Sequence, residues 1–217
     1  PSPSPAKPLN ISTRAEAGTG ENVIIGGFII TGGSTPKKVV IRAIGPSLSD
    51  ANPPVPGALA DPLLELHLPD GSVVTNDNWQ DLSPADQAFI NDIGLTPASA
   101  LESVIVATLA PVDPGNAGNG FYTAIVKGVN DTTGAALVEV YDLDAVTAEA
   151  TLANISTRGF VQTKDSAMIG GFIAGAGTST GQVLIRAIGP SLAGMDVGNP
   201  LLDPTLELHN ASGATVA

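Results

Sequence analysis

The sequence predicts an all-β protein, an antiparallel β-sandwich of roughly eight strands with one short helix. Three observations carry that expectation. Short β-branched or alternating runs follow one another along the 217 residues, each of strand length. Turn-forming residues separate them, with 25 Gly and 18 Pro in all, so the chain reverses often and leaves little room for helix. Hydrophobic residues make up 43% and charged residues 14%, enough to build a core and too apolar for a disordered chain.

The elements follow in order. Residues 1–8, "PSPSPAKP", read as an extended Pro-rich arm or linker. "NVIIGGFII" (22–30) and "KKVVIRAI" (37–44) read as strands, as do "LLELHL" (63–68), "SVIVATL" (103–109), "FYTAIVKGV" (121–129) and "ALVEVYDL" (136–143). In "LELHL" the leucines face one way while Glu65 and His67 face the other, and Val138 and Val140 alternate likewise with Glu139 and Tyr141. One helix is expected within "SPADQAFINDIG": Ser83 supplies the N-cap, Pro84 the first position, Asp86 an acid in the first turn and Gly94 the stop.

The charge balance excludes some partners. With 21 acidic against 9 basic residues and a net charge of −12, neither nucleic acid nor an anionic membrane is expected, since both require clustered Lys and Arg. No apolar span reaches the roughly 18 residues of a membrane-crossing segment. There is no Cys, so disulfides and thiolate metal sites are excluded. A beginning without Met or a leader reads as a processed chain or an excerpt from a longer one.

Motifs of catalysis are missing. No G-x-S-x-G, H-E-x-x-H or P-loop occurs, and the Gly-rich "GNAGNG" at 115–120 reads as a loop. Ser47 and Ser191 have no His nearby in sequence. The two histidines, His67 and His209, occupy the same outward position of a repeated strand. The expectation is therefore a protein that is not an enzyme.

The chain repeats itself. "LNISTR" (9–14) returns within "LANISTR" (152–158), "IIGGFI" (24–29) as "MIGGFI" (168–173) and "VVIRAIGPSL" (39–48) as "VLIRAIGPSL" (183–192), each 144 residues on. After a loop two residues shorter, "ADPLLELH" (60–67) matches "LDPTLELH" (202–209). Residues 9–150 thus read as one complete β-sandwich repeat. Residues 151–217 read as the first half of a second, to be completed by a neighbouring subunit or by chain continuation.

Three groups of residues are candidates for a site. Arg42 lies mid-strand in an apolar run and is expected to form an ion pair with Glu65 or Asp61, as Arg186 is with Glu207 or Asp203. Asn76, Asp77, Asn78 and Asp81, in "TNDNWQD", offer hard oxygens in a short loop and form a candidate calcium site. Their spacing is not that of an EF-hand, and an Asx-rich turn is the alternative. Trp79 is the sole Trp and aromatics total 4%, thin support for a glycan-stacking face. Sequons fall at Asn10, Asn130, Asn154 and Asn210.

The repeated phrases, with "DPLLELHLPDGSVVTNDNW", "LESVIVATLAP" and "YTAIVKGVNDTTGAALVEVYDLD", resemble a tandem repeat of large secreted proteins from Verrucomicrobia, Acidobacteria and related environmental bacteria. Residues 61–144 also resemble bacterial pre-peptidase C-terminal domains, small jelly-roll-like sandwiches that often hold calcium; Asp61, Asp70, Gly71, Asn76, Asp77 and "FYTAIV" from Phe121 carry that likeness. The resemblance implies an extracellular or cell-surface location and repetition more than any activity. The expectation is a bacterial surface fibre or matrix assembled head-to-tail, with the chain itself as partner in a homopolymer or tandem array. The alternatives are a calcium-stabilised adhesion or glycan-binding module and the accessory domain of a secreted hydrolase.

Overall fold

The structure, a computed structural model, describes residues 6–112, 120–144, 149–163, 166–175, 177–195 and 197–217. Most of "GNAGNG" lies outside them. Two compact units divide between Gly181 and Gln182.

The first unit is an all-β sandwich. Its strands are β1 (Lys7–Ala17), β2 (Ile24–Thr31), β3 (Lys37–Ile44), β4 (Pro62–His67), β5 (Val73–Asn76), β6 (Ser103–Leu109), β7 (Phe121–Gly128), β8 (Gly134–Asp142), β9 (Thr151–Arg158) and β10 (Ile169–Gly175). One antiparallel sheet runs β10-β1-β8-β3-β6 and the other β5-β4-β7-β2-β9. Alternating residues from both inner faces fill the space between, among them Phe28, Ile41, Leu64, Leu66, Val126 and Val138. The Phe28 and Tyr122 rings stack at 5.5 Å.

The helix α1 (Pro84–Asp92) starts where the sequence places it, with the Ser83 hydroxyl accepting from the Asp86 N–H at 3.2 Å. Gly94 adopts φ 70° at its end, the left-handed stop that glycine takes without strain. Ile90 of α1 packs with Val40 and Val104 on the outer side of β3 and β6, alongside Phe89 and Leu95. That cover explains why β3 buries apolar residues on both faces: Ile41 meets the sandwich core and Val40 meets the helix.

Three elements differ from the sequence reading. β1 begins at Lys7, inside the stretch read as an arm, because Lys7 and Pro8 pair with Gly175 and Ala174. β5 arises within the Asx-rich stretch, where Val73–Asn76 pairs with β4. The second copy contributes β9 and β10, and these join the sheets of the first copy, one at the edge of each.

The second unit holds the rest of the second copy. A 3-10 turn spans Pro190–Met195 and a bridge joins His209 to Thr215. Residues 183–188, which repeat the β3 phrase, form no strand and are exposed.

Candidate functional site

Arg42 is held by Glu139. The two residues are register partners on β3 and β8; Arg42 Nε donates to Glu139 Oε2 at 2.9 Å, and Nη1 donates to the Leu95 carbonyl at 3.0 Å. The Tyr141 hydroxyl donates to Glu139 Oε1 at 3.0 Å, so the carboxylate is occupied on both oxygens. Glu65, expected beside Arg42, instead accepts from Lys127 Nζ at 2.6 Å and lies 3.3 Å from His67 Nε2. Lys127 chiefly, with His67, holds the Glu65 carboxyl below its usual range. The reason is topological: Arg42 points out of one sheet towards the helix, while Glu65 points out of the opposite sheet. Arg186 is exposed, and Glu207 lies against His209 Nε2 at 3.1 Å.

Two buried charged groups went unread in the sequence. Glu102 is fully buried, and its carboxylate accepts from Gly45 N (3.2 Å), Ser47 N (2.9 Å), Ser47 Oγ (2.7 Å) and Ser99 N (3.3 Å). It anchors the "GPSL" turn after β3. Lys37 is also fully buried, donating to Asp142 at 2.7 Å and to Asp144. Burial outweighs the lysine and raises the Asp142 carboxyl above its ordinary value. In the second copy the Lys37 position is Gly181.

The candidate calcium residues divide among other tasks. Asn76 bridges the two sheets, its Oδ1 accepting from Val104 N on β6 at 2.8 Å and its Nδ2 donating to the Asn78 carbonyl at 2.9 Å. Asp81 closes an exposed 3-10 turn, its N–H donating to the Asn78 carbonyl at 2.9 Å. Asp77 and Asp61 each bury an oxygen without a hydrogen-bond partner. Burial first, and then the Asp77 charge, raise the Asp61 carboxyl above its ordinary value. Among the described residues no three His, Asp or Glu side chains gather as metal ligands. The preceding Asp70 makes an Asx turn with Ser72 N at 2.9 Å.

An apolar crevice lies beside Gly26, Phe28, Val138 and Ile155, with room for about one water. Of the four sequons, Asn10 is buried on β1, whereas Asn130, Asn154 and Asn210 are exposed.

The two ends of the sandwich differ most. At the β5–β6 end, residues 77–102 connect the sheets, Trp79 N donates to the Glu102 carbonyl at 2.9 Å and Asn76 ties β5 to β6. That end is closed. At the other end β9 and β10 are outermost, with Ile169, Phe172 and Ile173 exposed on β10. No family model matches the chain, and no curated protein or solved structure matches it.

Proposed function

We propose that this protein is a non-enzymatic structural component of a bacterial cell surface, built from β-sandwich repeats that assemble with one another into a fibre or matrix. One observation carries the reading: part of the second copy completes the sheets of the first, while its remainder leaves Val183, Leu184, Leu202 and Leu206 exposed. Open strand edges and exposed apolar residues are each templates for contact with a further chain. The resemblance to secreted repeats supports an extracellular location. The covering partner is a further repeat, from another subunit or from the same long polypeptide. Electron microscopy of the purified protein tests this: filaments or ordered sheets support it, and uniform single particles at high concentration overturn it.

A second reading is a calcium-stabilised adhesion module. The partnerless oxygens of Asp61 and Asp77 favour it, since a cation there would satisfy both. Calcium should then raise the melting temperature by mass action, and Asp77→Ala should abolish the rise. Coincident melting curves in calcium and in EDTA exclude it.

A further inference from the structure

The two ladders that join the copies are the same ladder. β1 pairs with β10 as Lys7↔Gly175, Pro8↔Ala174, Asn10↔Ile173, Ile11↔Phe172, Ser12↔Gly171, Thr13↔Gly170 and Arg14↔Ile169. β2 pairs with β9 as Thr31↔Thr151, Ile30↔Leu152, Ile29↔Asn154, Phe28↔Ile155, Gly27↔Ser156, Gly26↔Thr157 and Ile25↔Arg158. Shifting by the repeat offset of 144 residues converts each set into the other, pair by pair. Even the irregularity coincides, because the first ladder skips Leu9 and the second skips Ala153. The first copy's β1 takes the second copy's β2 strand, and the second copy's β1 strand takes the first copy's β2.

Such reciprocity is the signature of a two-fold axis, where residue i meets j and j meets i. An axis of this kind must bring some equivalent residues face to face. Thr13 and Thr157 are those residues: they stand 144 positions apart and their hydroxyls lie 2.7 Å from each other across the sandwich. The glycines make the approach feasible. Gly170 is opposite Thr13 in one ladder and Gly26 opposite Thr157 in the other, so neither of those partner strands places a side chain beside the hydroxyls; on its other side Thr13 has Val138 of β8.

We infer that the β1–β2 end of a copy is a self-complementary docking surface, and that its partner is the β1–β2 end of a second copy set about a two-fold axis. In a completed pair each sheet would run β6-β3-β8-β1 and continue through the partner's β2-β7-β4-β5, four strands from each copy. Both outer ends would then be β5–β6 ends, where contacts through Asn76 and Trp79 tie the sheets together. The inference goes beyond the assembly reading and constrains it. A contact about a two-fold axis closes on itself and does not propagate, so a head-to-tail fibre needs a second contact elsewhere on the repeat.

Cysteine cross-linking tests this, since the chain has no cysteine of its own. Only about an axis does one cysteine meet its own counterpart. The full chain receives Thr13→Cys together with Ile155→Pro, Ser156→Pro, Gly171→Pro and Phe172→Pro. Adjacent residues of a strand point their N–H groups alternately, so one proline of each pair must break a ladder bond and release β9 or β10. Mild oxidation should convert this protein to a disulfide-linked dimer joined from Cys at 13 to Cys at 13, while Thr13→Cys in the otherwise unaltered chain stays monomeric. A cooperatively melting proline variant that gives no dimer overturns the inference. If that variant does not melt cooperatively, Thr13→Cys with Thr157→Cys in the otherwise unaltered chain decides. An internal disulfide is expected, and two free thiols overturn the axis. Filaments without the cross-link would count against this inference alone, and the cross-link without filaments against the assembly reading alone.

Discussion

"VVIRAIGPSL" and "VLIRAIGPSL" differ at one position and adopt different structures. In the first, residues 39–44 are buried strand, flanked by β6 and β8, and Val40 is 0% exposed. In the second, the equivalent Leu184 is 86% exposed and no strand forms. Yet the local parts agree. Leu48 N donates to the Gly45 carbonyl and Leu192 N to the Gly189 carbonyl, both at 2.9 Å. A side chain on either glycine would strike a carbonyl, that of Leu59 or of Leu201. The turn from Leu68 to Ser72 also recurs from Asn210 to Ala214, with Gly71 and Gly213 at φ 85° and 80°. Turns are encoded by the residues inside them, whereas a strand needs neighbours to take its hydrogen bonds.

Removing what holds the first copy's turn tests that contrast most severely. Glu102→Leu strands the donors of Gly45, Ser47 and Ser99 in a buried site. The variant should lose about 3–5 kcal/mol of stability, measured by urea unfolding. The 189–192 turn has no such anchor among the described residues, so its amide chemical shifts should not move. A loss under about 1 kcal/mol would show that the turn needs no anchor in the first copy either.

The paired arginines give a middling effect. Arg42→Leu leaves Glu139, which is 8% exposed, without its cation, and should cost about 2–3 kcal/mol. Arg186→Leu, at an exposed position, should fall within about 0.5 kcal/mol of the parent. Equal losses would mean that the second phrase is packed like the first.

The smallest effect concerns pH. The folded protein raises the Asp61 carboxyl above its unfolded value, so its protonated form favours folding and its charge opposes it. Stability from this group is therefore full at low pH and is lost as pH rises through the folded pKa. Asp61→Asn should melt slightly higher than the parent at pH 7, with the advantage gone by about pH 3, below the ordinary carboxylate value. An advantage of the same size at both values would remove charge as its cause.

What the sequence revealed follows the same division between local and distant. The helix was legible from Ser83 to Gly94 because cap, first-turn acid and stop lie within one short segment. Alternation placed Leu64 and Leu66 inward and Glu65 and His67 outward on β4. Partners were not legible. Glu139 lies 97 residues from Arg42, Asp142 lies 105 from Lys37, and Glu102 lies 57 from Gly45; pattern within a segment says nothing about such pairings. The repeat was plain, but identical words do not say which copy a strand will pair with, so the exchange of β9 and β10 had no sequence signal.

The matched ladders bring parity into any array of these repeats. When copies satisfy one another two at a time, an even number leaves no β1–β2 end over and an odd number leaves one. Adding or deleting a single copy would thus switch an array between a satisfied state and an adhesive one, whereas changes by two would be silent. On that inference, copy number would act as a two-position switch for stickiness.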